Sequence, residues 1–127
     1  MQAEKGMVGK ILIVDDVATN RIVLKVKLGA ACYQALLAVN GQNGLKLAEE
    51  ERPDLILLDL SLSDRTPGMS GLETLVALRA SAHTAEIPVL ALGLAEQPEL
   101  SLAALRAGAD DVMMKPLPDA LLMARIR

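Results

Sequence analysis

Apolar residues are arranged along the chain in two patterns: short continuous runs, and longer segments in which they recur at helical spacing. Apolar runs of strand length occur within Lys10–Val14, Asp54–Leu60 and Pro88–Leu92, and such runs are typical of strands that are buried on both faces. The segments between them, such as Val17–Leu28 and Pro98–Ala107, carry apolar residues at roughly helical spacing. The pattern therefore predicts strands that alternate with helices along the whole chain.

Weaker signals complete this pattern and place the ends of the elements. Two further segments, Tyr33–Val39 and Asp110–Met114, are predicted to be the second and fifth strands. Gly29 is predicted to end the first helix, Asn40–Gly41 to form a turn, and Gly108 to cap the fourth helix. The remaining predicted helices are Gly44–Glu51, Gly71–Ser81 and Leu117–Arg127.

This alternation predicts an α/β fold. Apolar strands between helices imply a parallel sheet that is covered on both faces, and the handedness of crossovers favours the doubly wound, flavodoxin-like strand order 2-1-3-4-5. A length of 127 residues suits one domain, so residues 1–127 are interpreted as one unit, with residues 1–9 as a disordered N-terminal extension. Because the sequence stops inside the last predicted helix, we interpret it as part of a longer multidomain protein.

The composition narrows the possible classes of function. The chain has no Phe or Trp and a net charge of -3, which argues against direct binding to nucleic acid or to an anionic membrane. Its apolar runs are too short to span a bilayer. The single cysteine, Cys32, has no disulfide partner, which favours a cytoplasmic protein, and it is predicted to be a small buried apolar residue.

Acidic residues stand at the ends of two predicted strands. Asp15 and Asp16 end the first strand and Asp59 ends the third, at the point where the predicted strand order reverses and α/β sheets bind their ligands. Three carboxylates in one crevice repel one another unless a cation joins them, and oxygen ligands favour Mg²⁺, Mn²⁺ or Ca²⁺ over zinc. Lys115 ends the fifth strand and is predicted to face the same crevice.

These four side chains are the parts that phosphoryl transfer to an aspartate requires. Asp59 would attack as the nucleophile, a metal ion would neutralise charge on the transferred group, and Lys115 would hold one of its oxygens. Each acid taken alone is more simply interpreted as a strand end. When all four side chains stand at strand ends in this arrangement, however, a phosphoryl-transfer site is the favoured interpretation.

Three motifs resemble the signature of response regulator receiver domains, the CheY-like superfamily: Ile11–Asp16, Asp54–Asp59 and Lys115–Pro116. The resemblance covers nearly the whole chain. It implies a domain that accepts a phosphoryl group from a histidine kinase or phosphotransfer protein, regulates an attached output domain and is not an enzyme in itself. Parts of the sequence also look like the receivers of PleD-type regulators, which carry diguanylate cyclase output domains.

The resemblance also implies a role for each site residue. Asp59 would be the phosphoacceptor, and Lys115, joined to the following proline by a cis peptide, would contact the phosphoryl group. Asp16 would bind Mg²⁺ or Mn²⁺ directly, Asp15 would contact it mainly through water, and the backbone carbonyl of Ser61 would complete the ligand set. A homodimer through the face of helix 4, strand 5 and helix 5 is a further implication.

The chain departs from the receiver pattern at the positions that relay phosphorylation. The Thr or Ser expected at the end of the fourth strand is Gly93, the small residue after it is Leu94, and the switch aromatic of the fifth strand is Val112. In the loop after Asp59, Ser63–Thr66 looks like an insertion. Since Gly93 and Val112 lack a hydroxyl and a ring, the ordinary relay is predicted to be uncoupled, with a signal that is weak or travels through the long loop or helix 4.

Three alternatives stay open. A pseudo-receiver, which serves as a phosphate-independent dimerisation or docking module, is favoured by Gly93 and Val112. A phosphatase or phosphotransferase of haloacid-dehalogenase type also uses an aspartate after a strand, but it needs a second Asp where Ser61 stands. A flavodoxin-like electron carrier needs a hydroxyl-rich loop after the first strand and aromatic residues around the flavin, and the sequence has neither.

Overall fold

A parallel five-stranded sheet forms the centre of the structure. The computed structural model describes residues 9–62 and 68–126, and their strands run in the order β2-β1-β3-β4-β5, which confirms the predicted fold class and strand order. In chain order the elements are β1 (Gly9–Val14), α1 (Ala18–Ala30), β2 (Tyr33–Ala38), α2 (Gly41–Glu51), β3 (Leu55–Asp59), α3 (Gly71–Ala80), β4 (Val89–Leu94), α4 (Pro98–Arg106), β5 (Asp111–Lys115) and α5 (Asp119–Ile126).

Aliphatic side chains cover both faces of the sheet. Along β1, Leu12 packs in the cluster that includes residues of α2, α3 and α4, whereas its neighbour Ile13 packs in the cluster with Leu28 of α1 and Leu122 of α5. All four are fully buried, and burying each such side chain contributes about 1.5–3 kcal/mol. Because both faces are buried, the strands are apolar at successive positions instead of alternating.

The end of α1 differs from the prediction. The helix continues through Gly29 and ends at Ala30. Cys32 makes the turn into β2, with a left-handed φ of 69° and an N–H that donates to the Gly29 carbonyl at 3.0 Å. Cys32 is exposed, so its predicted burial was wrong, because this residue lies in the tight turn between α1 and β2 and not in either packed element.

Two other boundaries differ from the prediction. The helix α2 begins at Gly41, three residues earlier than predicted, because the Asn40 side chain accepts a hydrogen bond from the Asn43 N–H at 2.7 Å and caps the helix there. The strand β4 extends to Leu94, which places Gly93 inside the strand.

Two predicted segments fall outside the described residues. Of the N-terminal extension, only Gly9 is described, and it begins β1; the proposed insertion Ser63–Thr66 is not described. Among the described helices, none is long and apolar enough to cross a membrane.

Candidate functional site

The carboxyl ends of β1 and β3 bring three acidic residues together. Val14 and Leu58 are Cα partners in the parallel register, so Asp15 and Asp59 follow at the same edge of the sheet. One carboxylate oxygen from each of Asp15, Asp16 and Asp59 lies within 4.8 Å of the others, and Asp15 and Asp59 are each 1% exposed. This oxygen donor set is the kind that hard divalent cations prefer.

Neighbouring groups hold the Asp15 carboxylate in place. Its Oδ1 accepts a hydrogen bond from the Val17 N–H at 2.9 Å, and its Oδ2 accepts one from Asn20 Nδ2 at 3.2 Å. The Arg21 guanidinium donates to the Asp15 carbonyl oxygen at 2.8 Å. Asn20 and Arg21 were not predicted to belong to the site, although they follow Asp15 by five and six residues, in the first turns of a predicted helix.

Burial raises the pKa of the Asp15 carboxyl above its ordinary value. The hydrogen bond from the Val17 N–H lowers this pKa, the negative charge of Asp59 raises it, and the Lys115 ammonium lowers it. The site therefore holds buried carboxylates whose negative charges repel one another. A divalent cation would offset that repulsion, so the residues present fit such an ion.

Lys115 lies in the same crevice. Its Nζ donates to Asp59 Oδ1 at 3.0 Å and is 3.8 Å from Asp15 Oδ2. The Lys115–Pro116 peptide is cis. The Ser61 N–H also donates to Asp59 Oδ1, at 3.0 Å, so one oxygen of the Asp59 carboxylate receives both contacts.

Gly71 lets α3 approach the strand end that carries Asp59. A Cβ at this position would lie 2.7 Å from Leu60 Cα and 2.8 Å from the Asp59 carbonyl oxygen, both of which are backbone atoms. Gly71→Ala is therefore expected to lower the free energy of unfolding by about 1–3 kcal/mol, measured by urea denaturation. Gly29→Ala is the matched control, because nothing lies within 4 Å of its Cβ position. It should stabilise α1 by up to about 1 kcal/mol. A Gly71→Ala protein as stable as wild type would contradict this assignment.

The predicted switch positions Gly93, Leu94 and Val112 lie on the two neighbouring strands β4 and β5. Gly93 is the register partner of Met114, and Leu94 is the partner of Lys115. Val112 is partly buried against the core cluster beneath α4. A Cβ on Gly93 would lie 2.7 Å from Ser101 Oγ of α4, a contact that the sequence did not reveal because residues 93 and 101 meet only in the folded chain.

Comparison with protein families matches residues 11–127 to the response regulator receiver domain. The chain belongs to this family. Response regulator PleD of Caulobacter vibrioides is 35% identical over 121 residues, which are 95% of this chain and 26% of PleD. Protein PilH of Pseudomonas aeruginosa is 34% identical over 117 residues, which are 92% of this chain and 93% of PilH. This receiver domain thus spans about a quarter of PleD and nearly all of PilH.

Solved receiver structures have the same fold. The receiver domain of the sensor histidine kinase PA1611 from Pseudomonas aeruginosa matches with a TM-score of 0.83 and 28% sequence identity, and the match covers 93% of each chain. That crystal structure has a magnesium ion coordinated in its active-site cleft. Family membership thus supports the resemblance drawn from the three sequence motifs, and receivers of this family act in two-component signalling.

Proposed function

We propose that this receiver domain accepts a phosphoryl group on Asp59 from the phosphohistidine of a histidine kinase or phosphotransfer protein. The observation that carries the proposal is the arrangement around Asp59. Its carboxylate is buried, lies within 4.8 Å of two further acids and receives the Lys115 ammonium at 3.0 Å. A nucleophile, a cation-binding acid pair and a fixed positive charge are thus assembled in one crevice.

The transfer uses groups that are already in place. A carboxylate oxygen of Asp59 forms a bond to phosphorus while the phosphorus–nitrogen bond of the phosphohistidine breaks and its electron pair returns to the imidazole nitrogen. The Ser61 N–H fixes the Asp59 carboxylate. The Lys115 ammonium, which lies against this carboxylate, is placed to turn to an oxygen of the arriving phosphoryl group.

The acidic cluster would hold the metal ion. Asp15, Asp16 and Asp59, with the backbone carbonyl of Ser61, are the ligands that we assign to Mg²⁺ or Mn²⁺. When bound, this ion supplies positive charge that offsets the charge of the phosphoryl group. In this role the domain receives a phosphoryl group and regulates an output domain, but it is not an enzyme in itself.

An exposed apolar surface is the proposed contact with an attached output domain, such as a diguanylate cyclase, or with a second receiver. We call it the α4–β5–α5 surface, and its members are apolar residues with exposed fractions of 39–47%. They are Leu102, Leu105, Met114 and Leu121. Its member Met114 lies on β5, where it precedes Lys115 and is the register partner of Gly93. A structural change at either residue can therefore be passed to this surface.

The pseudo-receiver alternative rests on Gly93 and Val112, which carry neither the hydroxyl nor the ring of the ordinary relay. It predicts a domain that docks through the α4–β5–α5 surface whether or not Asp59 is modified. The two functions differ in whether a phosphoryl mimic binds at the site, so a binding experiment separates them.

Beryllofluoride, which mimics the aspartyl phosphate, is expected to bind in the presence of Mg²⁺ and to shift the amide resonance of Ser61, whose N–H contacts Asp59. Asp59→Asn should abolish the shift because it removes the anionic oxygen that bonds to beryllium. Asp111→Asn is the matched control, because the Asp111 side chain is 47% exposed and pairs with Arg125 at the start of β5, the opposite end of this strand from Lys115. If millimolar beryllofluoride leaves the wild-type Ser61 resonance unmoved, the pseudo-receiver is the better description.

A further inference from the structure

A hydroxyl from α4 fills the space beside Gly93. Ser101 is 6% exposed, and its Oγ lies 2.7 Å from the place where a Cβ on Gly93 would stand. Gly93 directly follows Leu92, the register partner of Asp59. The Ser101 hydroxyl therefore lies at the carboxyl end of β4, beside the position of a side chain at residue 93. The neighbouring strand β3 ends there with Asp59.

This hydroxyl has a weak partner. Within the described ranges 9–62 and 68–126, its one hydrogen-bond contact is the Met114 Sδ at 3.7 Å, and a thioether sulfur is a weak acceptor. A buried O–H group with such a partner gains when a charged oxygen comes within reach. Met114 lies opposite Gly93 in the register of β4 and β5 and belongs to the α4–β5–α5 surface.

The N-cap residue of α4 carries a buried polar atom without a hydrogen-bond partner. In the part of the chain that the structure describes, the buried Oε1 of Gln97 accepts no hydrogen bond, and the N-cap of α4 has no side-chain hydrogen bond. Gln97 is four residues before Ser101, on the same side of the helix. On this side of α4, one polar group thus has no partner among the described residues and the other has only a weak one, so both can accept a new polar partner.

We propose that the Ser101 hydroxyl recognises the phosphoryl group on Asp59 and that Met114 carries the response to the α4–β5–α5 surface. This inference rests on the proposed function of Asp59. Without phosphate, the Ser101 O–H points to the Met114 sulfur; with phosphate, it donates instead to a phosphoryl oxygen and releases Met114. Gly93 makes this possible because its missing Cβ leaves room for the hydroxyl of α4.

Ser101→Ala tests the exchange in the full chain. Methyl NMR of methionine reports on Met114, and the Ser61 amide reports on occupancy of the site. In wild type, saturating beryllofluoride with Mg²⁺ should shift both resonances. In Ser101→Ala the Ser61 shift should remain, with beryllofluoride affinity lowered roughly tenfold, while the Met114 shift should be lost. Thr84→Val is the matched control, because Thr84 is another buried hydroxyl but donates to the Leu78 carbonyl at 2.6 Å.

The two reporters separate the possible failures. Wild-type affinity and a full Met114 shift in Ser101→Ala would overturn this inference and leave the proposed function intact. Absence of the Ser61 shift in wild type would overturn the proposed function and this inference with it. The double variant Gly93→Ser with Ser101→Ala returns the hydroxyl to β4 and removes the clash, so it should recover affinity. A double variant that binds no better than Ser101→Ala would count against phosphoryl recognition by this hydroxyl.

Discussion

Replacing Lys115 by methionine is expected to slow phosphorylation of Asp59 by about 100-fold to 1,000-fold, the cost of removing one preorganised donor to developing charge. The Lys115 Nζ lies 3.0 Å from Asp59 Oδ1 and its side chain is only 23% exposed, so solvent would not replace the charge. The rate is measured with a small-molecule phosphodonor by the appearance of the acyl phosphate. Methionine keeps the length and apolar stem of lysine, so the loss isolates the ammonium group.

The same variant should bind Mg²⁺ more tightly, because the ammonium no longer competes for the Asp59 and Asp15 carboxylates. Calorimetric titration gives this affinity. Lys46→Met is the matched control, since Lys46 is an exposed residue of α2 and its replacement should alter neither quantity. Unchanged phosphorylation kinetics in Lys115→Met would remove Lys115 from the mechanism.

Replacing Arg79 by methionine is expected to lower the free energy of unfolding by about 2–4 kcal/mol, because several carbonyl groups would lose a charged donor. The Arg79 guanidinium donates to the carbonyl oxygens of Gly108, Ala85 and Ile87 at 2.9, 3.0 and 2.7 Å. It also contacts Asp110 Oδ2 at 3.0 Å. One side chain of α3 thus joins the segment before β4 to the turn before β5.

Most of this effect should come from the carbonyl groups, since the Asp110 side chain is 61% exposed and exposed ion pairs contribute little. Urea denaturation followed by circular dichroism gives the free energy of unfolding. Arg106→Met changes an exposed arginine of α4 and serves as the matched control. Equal losses of less than 1 kcal/mol in both variants would contradict the role assigned to Arg79.

The sequence was most informative where one local pattern decides a structure. The apolar runs predicted the strands because both faces of the sheet are buried, and the alternation with helices then left few topologies. The carboxylates at the ends of the first and third strands were predicted to meet because parallel strands end at one edge of a sheet. Asp15, Asp16 and Asp59 do lie together, and this required only the strand order.

Local turn geometry was harder to predict. Gly29 was expected to end the first helix, but the turn uses Cys32 in the left-handed region, and Gly29 lies within α1. Glycine often ends a helix because it tolerates that backbone, yet where the chain turns depends on the packing of α1 against β2. The sequence carries this information only through contacts that form on folding.

By itself, the sequence determined the fold class, the strand order and the acidic edge of the sheet, because these follow from periodicity and from residues adjacent in the chain. Only the tertiary structure decided which groups surround that edge. Arg79 meets Gly108 across 29 residues, and Ser101 reaches the empty side of Gly93 from another element. Such contacts depend on how closely a helix packs on the sheet, a distance that side-chain volumes from several elements set together.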